Sequence, residues 1–438
     1  MISLQDECTF ENMLSLCSPL SGPLTSFKSM PTLPGTEDNF LSSVEISKTS
    51  GMGGGWTYLS NPAGFGHGPT PVASGIKALA EALERYGSSI TPKNILHKMT
   101  HVEVASKYRV PSLEDLQTLR PDQPGLQEFR RMKPNDAIDW VEGEDWSDPK
   151  NVQSIWYPLP LLVLNRRINL PFTTGTTSGF ALGPDQTFAR LGAICELIER
   201  DCFSYSWWTH STENPHFSLH DVWDDLPVSL QQLTRNLKDK IWFVDFSQRW
   251  QIPCFAAFYF DQENQPHVAC ASSCNADASN ALHHALGELI RVSRGLITNP
   301  ERFRAVLPEK PYEKNLHNFV QQISLGLLPE CYDWSHFMIE GPRDYRREAI
   351  RASTQAFQNA SSSEKLEFVV RQIRAQKAQL YFFDFTPRDI AQYGLHLSRA
   401  QVTEAVPMQC TYEARPLGCK PLRDIPLEQL HLFPMPFP

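Results

Sequence analysis

The chain has 438 residues, 41% of them hydrophobic and 20% charged, which is a water-soluble globular composition with ample core material for one large domain or two to three ordinary ones. Its net charge of −9 argues against general nucleic-acid binding, which needs a basic footprint. Apolar runs such as residues 159–164 are far too short to span a bilayer, so no membrane partner is expected. Residues 1–14 carry Asp6, Glu7 and Glu11 and no cationic start, unlike a secretory or transit segment. The expected location is the cytoplasm. Ten cysteines are scattered with no CxxC pair, a pattern of reduced, mostly buried thiols rather than of a zinc site or a disulfide framework.

In chain order, residues 1–50 are rich in Ser, Pro, Thr and Leu and read as an extension with short elements. Gly51, Gly53, Gly54 and Gly55 then punctuate the chain. A loop through Pro62, Gly64, Gly66, Gly68, Pro69 and Pro71 leads into a helix over residues 72–88. Val72, Ile76, Leu79 and Leu83 form its apolar stripe. Residues 90–135 read as short helices and turns, and 139–141 and 155–164 as strands. A turn-rich stretch at 173–179 precedes a long helix over 186–208. Strands are expected at 241–245 and 253–260, and a helix at 279–296. Residues 297–360 read as helical and polar, followed by a helix at 365–376 and strands at 379–384 and 395–402. Proline then becomes frequent, up to Phe433-Pro434-Met435-Pro436-Phe437-Pro438.

Two of the predicted helices carry one pattern. The first reads Ala78-Leu-Ala-Glu81-Ala-Leu-Glu84-Arg85, the second Ala193-Ile-Cys-Glu196-Leu-Ile-Glu199-Arg200. Carboxylates at i and i+3 share one helical face. Four acids from two helices could hold hard cations if the helices face each other. The arginines could counter those acids or grip phosphates. The alternative is a pair of helices braced by Arg–Glu contacts. A third, incomplete copy reads Ala285-Leu-Gly-Glu288-Leu-Ile-Arg291. There is no GxxxxGK[ST] loop, no GxSxG elbow and no HExxH, and no GxGxxG follows a clear strand. The proline-rich end reads either as a disordered segment or as a stiff strand with aromatic anchors at Phe433 and Phe437, which loses little entropy on docking.

Further blocks accompany these helices: Thr177-Ser178-Gly179-Phe-Ala-Leu-Gly183, Glu196-Leu-Ile-Glu199-Arg200-Asp201, Ala269-Cys-Ala-Ser-Ser-Cys-Asn275, Val244-Asp245-Phe, Phe383-Asp384-Phe-Thr386, Val406-Pro407 and Pro434-x-Pro436-x-Pro438. In this order they resemble the YcaO family, in particular its azoline-forming cyclodehydratases of ribosomal peptide natural products such as bacteriocins. The resemblance implies an α+β fold with mixed β-sheets and long ExxER helices. It implies an extension at 1–50, a catalytic domain at 51–405 and a segment at 406–438 packed into the active site. It implies ATP and Mg2+, with Glu81, Glu84, Glu196 and Glu199 on the metal. Arg85, Arg200, Asn275, Glu288, Arg291 and Arg399 would bind ATP, and the carboxylate of Pro438 would be the catalytic base.

The implied reaction turns Cys, Ser or Thr of a precursor peptide into thiazoline or oxazoline through phosphorylation of the backbone amide oxygen. The implied partners are the precursor peptide, a leader-binding protein resembling ubiquitin-activating enzymes, and an FMN-dependent azoline dehydrogenase. A homodimer within a larger complex is also implied. The chain departs from the family pattern at Lys77, where Ser is usual, at Arg291, where Gln is usual, and at Pro184 and Phe188, where an Asn and an acid are usual. Thioamide formation and a non-catalytic scaffold are the alternatives.

Overall fold

The computed structural model describes residues 4–18, 20, 22–31, 40–47, 63–124, 126, 128–169, 171–312, 314–409 and 411–437. The glycine-punctuated stretch at 51–55 and Pro438 lie outside the described residues. The chain divides into two compact units: Met1–Pro111, Lys133–Ile194 and Tyr381–Ala400 in the first, and Ser112–Met132, Cys195–Leu380 and Gln401–Pro438 in the second.

The first unit opens with α1 (Leu4–Leu14) and strands β1 (Leu24–Pro31), β2 (Phe40–Ile46) and β3 (Ala63–Gly68), which form a three-stranded antiparallel sheet in that order. Helix α2 (Pro71–Ser88) packs on β3. The expected loop through Gly64, Gly66 and Gly68 is therefore a strand. The glycines recur with the strand period of two. A Cβ at Gly64 or Gly66 would strike the carbonyl oxygen of Ala78 or Ser74. Glycine lets the backbone of α2 lie directly on the strand. Thr70 caps the helix by accepting the Ala73 N–H at 3.1 Å, and Pro71 begins its first turn. Leu79 and Leu83 of the expected stripe are buried, while Val72 and Ile76 are half-buried.

Strands β4 (Ile95–Met99), β5 (Ile138–Asp145), β6 (Gln153–Pro158) and β7 (Phe180–Gly183) follow, then helix α3 (Gln186–Trp208). β4 falls in a stretch read as helices and turns, and β7 was not expected. Each is short and gains its strand geometry from a neighbour: β4 pairs with β5, and β7 with a later strand. The strand expected over 155–164 ends at Pro158, and residues 159–161 form a 3-10 turn. Pro158 and Pro160 have no N–H to donate to a ladder.

The second unit holds a four-stranded sheet of β8 (His216–Ser218), β9 (Ile241–Asp245), β10 (Cys254–Phe260) and β11 (Val268–Cys274), in the order β11-β10-β9-β8. β11 is rich in Ala, Cys and Ser, a poor strand signal by itself. Its register with β10, from Cys254↔Cys274 to Phe260↔Val268, makes it a strand. Helix α4 (Ala278–Thr298) covers β10 and β11, capped by Asp277. Phe217, Phe243, Phe255, Leu282, Leu286 and Leu289 form the core between them. Helices α5 (Arg347–Phe357) and α6 (Ser362–Ala375) precede β12 (Leu380–Asp384) and β13 (His396–Val402). These last strands complete a sheet of order β4-β5-β12-β13-β7, with β6 on β5. Eight described cysteines are free, and all but Cys17 are buried. No helix among the described residues is long and apolar enough to cross a membrane.

Candidate functional site

In α2, the first glutamate–arginine pair is closed. Arg85 Nη2 meets Glu81 Oε1 at 2.6 Å, and Arg85 Nη1 donates to the Ala63 carbonyl at 2.5 Å. Glu81 Oε2 accepts the Phe65 N–H at 2.5 Å. One carboxylate and one guanidinium thus bind two backbone groups of β3. Arg85 lies in the last turn of α2, where a cation suits the helix dipole. Glu84 is half-buried, and Lys77 is exposed. The next residue, Tyr86, donates its hydroxyl to the Asp389 carboxylate.

In α3, Asp185 starts the helix by accepting the Phe188 N–H at 2.8 Å. Phe188 and Pro184 are exposed. Ala193, Leu197 and Ile198 are buried and hold the opposite face. Arg200 stands 3.7 Å from Glu196 Oε1 and 3.7 Å from Glu199 Oε1, beyond direct hydrogen-bond distance. The Ser272 hydroxyl donates to Glu199 at 2.9 Å. The Glu199 side chain is 13% exposed. Burial pushes its carboxyl up to about 8, against the pull of Arg200 and Ser272, and the neighbouring Glu196 adds to the rise.

Asp201 follows and is fully buried. It accepts from Arg249 Nε at 2.5 Å, Arg249 Nη2 at 2.8 Å, Trp250 Nε1 at 2.5 Å and the Val406 N–H at 2.6 Å. Four donors, on the adjacent Arg249 and Trp250 and on Val406, tie this end of the motif to the start of the C-terminal segment.

The C-terminal segment runs back along α3. The His431 N–H bonds the Trp208 carbonyl at 2.9 Å, and Trp207 Nε1 bonds the Phe433 carbonyl at 2.9 Å. Phe433 also stacks on Trp334, with centroids 5.3 Å apart. Further on, Phe437 packs on Phe203 at 4.2 Å, and Arg200 lies over the Phe437 ring at 4.8 Å. Cys270 Sγ donates to the Pro436 carbonyl at 3.4 Å. Arg200, Phe203 and Trp207 share a helical face by their spacing, and the tail follows that face towards Glu199. Met435 and Phe437 are buried.

The remaining predicted residues lie on other elements. Glu288 and Arg291 form an ion pair at 2.5 Å on α4, each about a third exposed. Asn275 turns the chain into α4 by accepting the Asp277 N–H at 3.0 Å. Arg399 is buried on β13, 4.9 Å over the Phe180 ring of the paired strand β7. Ser272, Asp201, Phe203 and Trp207 were not among the predicted site residues. Asp201 directly follows the motif, and Phe203 and Trp207 continue the face of Arg200, which are the signals that could have found them.

Among the described residues, no group of three or more His, Cys, Asp or Glu is arranged to hold a metal ion. The paired carboxylates nevertheless suit Mg2+, which takes one or two carboxylates and completes its shell with phosphate oxygens and water. Glu199 is a buried carboxyl whose ionised form lacks sufficient positive charge nearby, and a divalent cation would supply it. The donor set fits.

Residues 65–405 match the family model described as YcaO cyclodehydratase, ATP- and Mg2+-binding. No curated protein sequence matches significantly. A heterocyclase solved in complex with substrate and cofactor is similar with a TM-score of 0.72 and 18% identity, over 99% of this chain and 57% of that one. This chain therefore spans little more than half of that heterocyclase. YcaO from Methanopyrus kandleri, bound with AMPPCP and Mg2+, is similar at 0.60 and 14% identity, over 92% of this chain and 91% of that one. The E. coli microcin synthetase McbBCD complex with pro-MccB17 bound gives 0.60 and 10% identity, over 96% and 98%. At such identities the likeness is one of fold, and the α+β architecture agrees with it.

Proposed function

The chain belongs to the YcaO cyclodehydratase family of ATP- and Mg2+-binding enzymes, and from that membership we propose that it converts Cys, Ser or Thr of a ribosomal precursor peptide into thiazoline or oxazoline. The observation that carries this reading is the proline-bearing segment laid along the second ExxER helix, with Phe437 against Arg200. The substrate side chain attacks the preceding amide carbonyl carbon. That attack closes the ring; the former amide oxygen, once phosphorylated, leaves as phosphate while the ring nitrogen gives up its proton, which forms the C=N bond of the azoline. An amide oxygen is a poor leaving group until it is activated, so the enzyme's task is positioning and charge neutralisation.

Mg-ATP, when bound, supplies the phosphoryl group and the charge that make this oxygen leave. On this reading Glu196 and Glu199, with Glu81 and Glu84, are the metal-holding residues. Arg200 and Arg85 face phosphates, and Asn275, Glu288, Arg291 and Arg399 contribute to the nucleotide site. Pro438 carries the carboxylate that takes the proton from the attacking side chain. The segment from 406 on belongs to this site. The reading also includes a leader-binding partner resembling ubiquitin-activating enzymes, an FMN-dependent azoline dehydrogenase, and a homodimer within a larger cytoplasmic complex.

The test is incubation with precursor peptide, the leader-binding partner and Mg-ATP, followed by mass spectrometry. The peptide should lose the mass of one water per ring while ATP is consumed. An unchanged mass with a complete partner set refutes cyclisation. A gain that matches oxygen-to-sulfur exchange with added sulfide would replace it by thioamide formation.

A further inference from the structure

Strand β3 ends its sheet, with β2 on one side. Phe65 stands opposite Ser43 of β2, yet its N–H turns off the ladder and meets Glu81 Oε2 at 2.5 Å. Two residues back, on the same edge by the alternation of an antiparallel pair, the Ala63 carbonyl takes Arg85 Nη1 at 2.5 Å. Glu81 and Arg85 thus give this edge an acceptor and a donor, as a neighbouring strand would.

That reach depends on a close seat for the helix. A Cβ on Gly64 would lie 2.1 Å from the Ala78 oxygen and 2.5 Å from the Ala82 nitrogen, so the turn of α2 that carries Glu81 rests directly on the strand. The two oxygens of Glu81 are held separately, Oε1 by Arg85 at 2.6 Å and Oε2 by the Phe65 N–H. A bond to one oxygen leaves a carboxylate free to turn, whereas bonds to both fix its plane. An ionised carboxylate has about four lone-pair sites, so two bonds orient the group and still leave each oxygen a site for a cation. Hydrogen bonds made behind a metal ligand in this way tune its affinity.

We propose that Phe65 is a positioning residue for Glu81 through its backbone N–H, so that the edge of β3 presets this carboxylate for Mg2+. The inference rests on the reading of Glu81 as a metal-holding residue. It adds a backbone donor to that site, and it gives Gly64 the task of bringing the donor within reach.

The experiment titrates Mg2+ into the full chain with a non-hydrolysable ATP analogue, by calorimetry, at a temperature where melting curves show each chain folded. Phe65→Pro deletes the N–H, and an edge strand tolerates it because the lost donor does not serve the ladder. Its ring adds bulk beside Glu81, so a second chain carries phenyllactate at position 65, an ester that removes the N–H alone. Phe65→Ala keeps the N–H and removes a ring that is 42% exposed. Phe65→Pro and the ester chain should each need about tenfold more Mg2+ for half-saturation, as loss of such a support implies. Phe65→Ala should stay within about twofold of wild type, the usual range for an exposed side chain. If Phe65→Pro does not fold, the ester chain decides. An ester chain that matches a Mg-binding wild type overturns the proposal and spares the functional reading. A Phe65→Ala chain as weak as the ester also overturns it, because the ring and not the N–H would then be the cause. A wild-type chain that binds no Mg-nucleotide sinks the functional reading and this inference with it.

Discussion

The two ExxER helices carry the same residues at the same spacing and use them differently. In α2 the pair is a brace: Glu81 and Arg85 meet at 2.6 Å and bind the backbone of β3. In α3 the contacts are longer: Arg200 lies 3.7 Å from both carboxylates and over an aromatic ring. Glu199 is buried there beside Glu196. The motif decides which residues share a face. The elements packed on that face decide which partners each charge meets.

Replacing Glu199 by Gln breaks this contrast most severely. Mg-dependent ATP turnover should fall by about a thousandfold or more, the scale of losing a group that stabilises transition-state charge. Stability should move the other way. The Glu199 carboxyl sits at about 8 instead of the usual 4.5. Between those values the folded chain keeps a proton that the unfolded chain releases, so stability falls as pH rises through that window. Gln has no proton to lose. The variant should melt about 2–4 °C above wild type at pH 8 and level with it below pH 5, by calorimetric scans. Normal turnover would remove Glu199 from the site.

The residue after each arginine gives the next comparison. Tyr86 donates a single hydroxyl to Asp389, whereas Asp201 takes four donors while fully buried. Asp201→Asn turns an amide N–H2 towards Arg249 and Trp250 and leaves a buried cation unmatched. The expected cost is about 3–5 kcal/mol, read as a large drop in denaturation midpoint. Tyr86→Phe, which loses one half-buried hydrogen bond, should cost about 1 kcal/mol. Similar costs at both positions would mean that Asp201 is no anchor.

Glu81→Gln tests the brace. Gln cannot accept from Arg85 with a full charge, and one of its amide faces is a donor towards the Phe65 N–H. A loss of about 1–3 kcal/mol is expected for such charge-assisted bonds. The variant should therefore lose stability as well as turnover, unlike Glu199→Gln. Two variants that melt alike would erase the distinction between the two helices.

The long helices were legible because their apolar stripes and caps are local. Residues 186–208 were expected as a helix and form one over that range. The helix at 72–88 begins one residue earlier, at Pro71. Strands whose signal is not local were missed. The glycines of β3 make sense only once α2 is seen lying on them, and β11 is a strand because β10 pairs with it. The same holds for the site. The two acid pairs could be read from i and i+3 spacing, but the four donors on Asp201 come from residues 249, 250 and 406. Spacing also gives no warning that Arg85 meets the Ala63 carbonyl while Arg200 lies over the Phe437 ring.

The smallest effect concerns acid sensitivity, which should belong to the α3 copy alone. His431 anchors the tail among Trp207, His210, Phe337 and Phe433. Burial first, and then the stacked His210, together lower its imidazole to about 4. A base depressed on folding stabilises the fold above its usual value of 6.5 and loses that contribution as pH falls towards 4. At pH 5.5 the unfolded chain already binds a proton that the docked His431 refuses, a cost of about 1 kcal/mol or less. Wild type should therefore lose more melting temperature between pH 7 and 5.5 than His431→Phe, which keeps an aromatic ring in the same cluster and has nothing to protonate. The difference between the two curves isolates this residue from other titrating groups. Parallel curves would mean that His431 is protonated in place without loosening the tail.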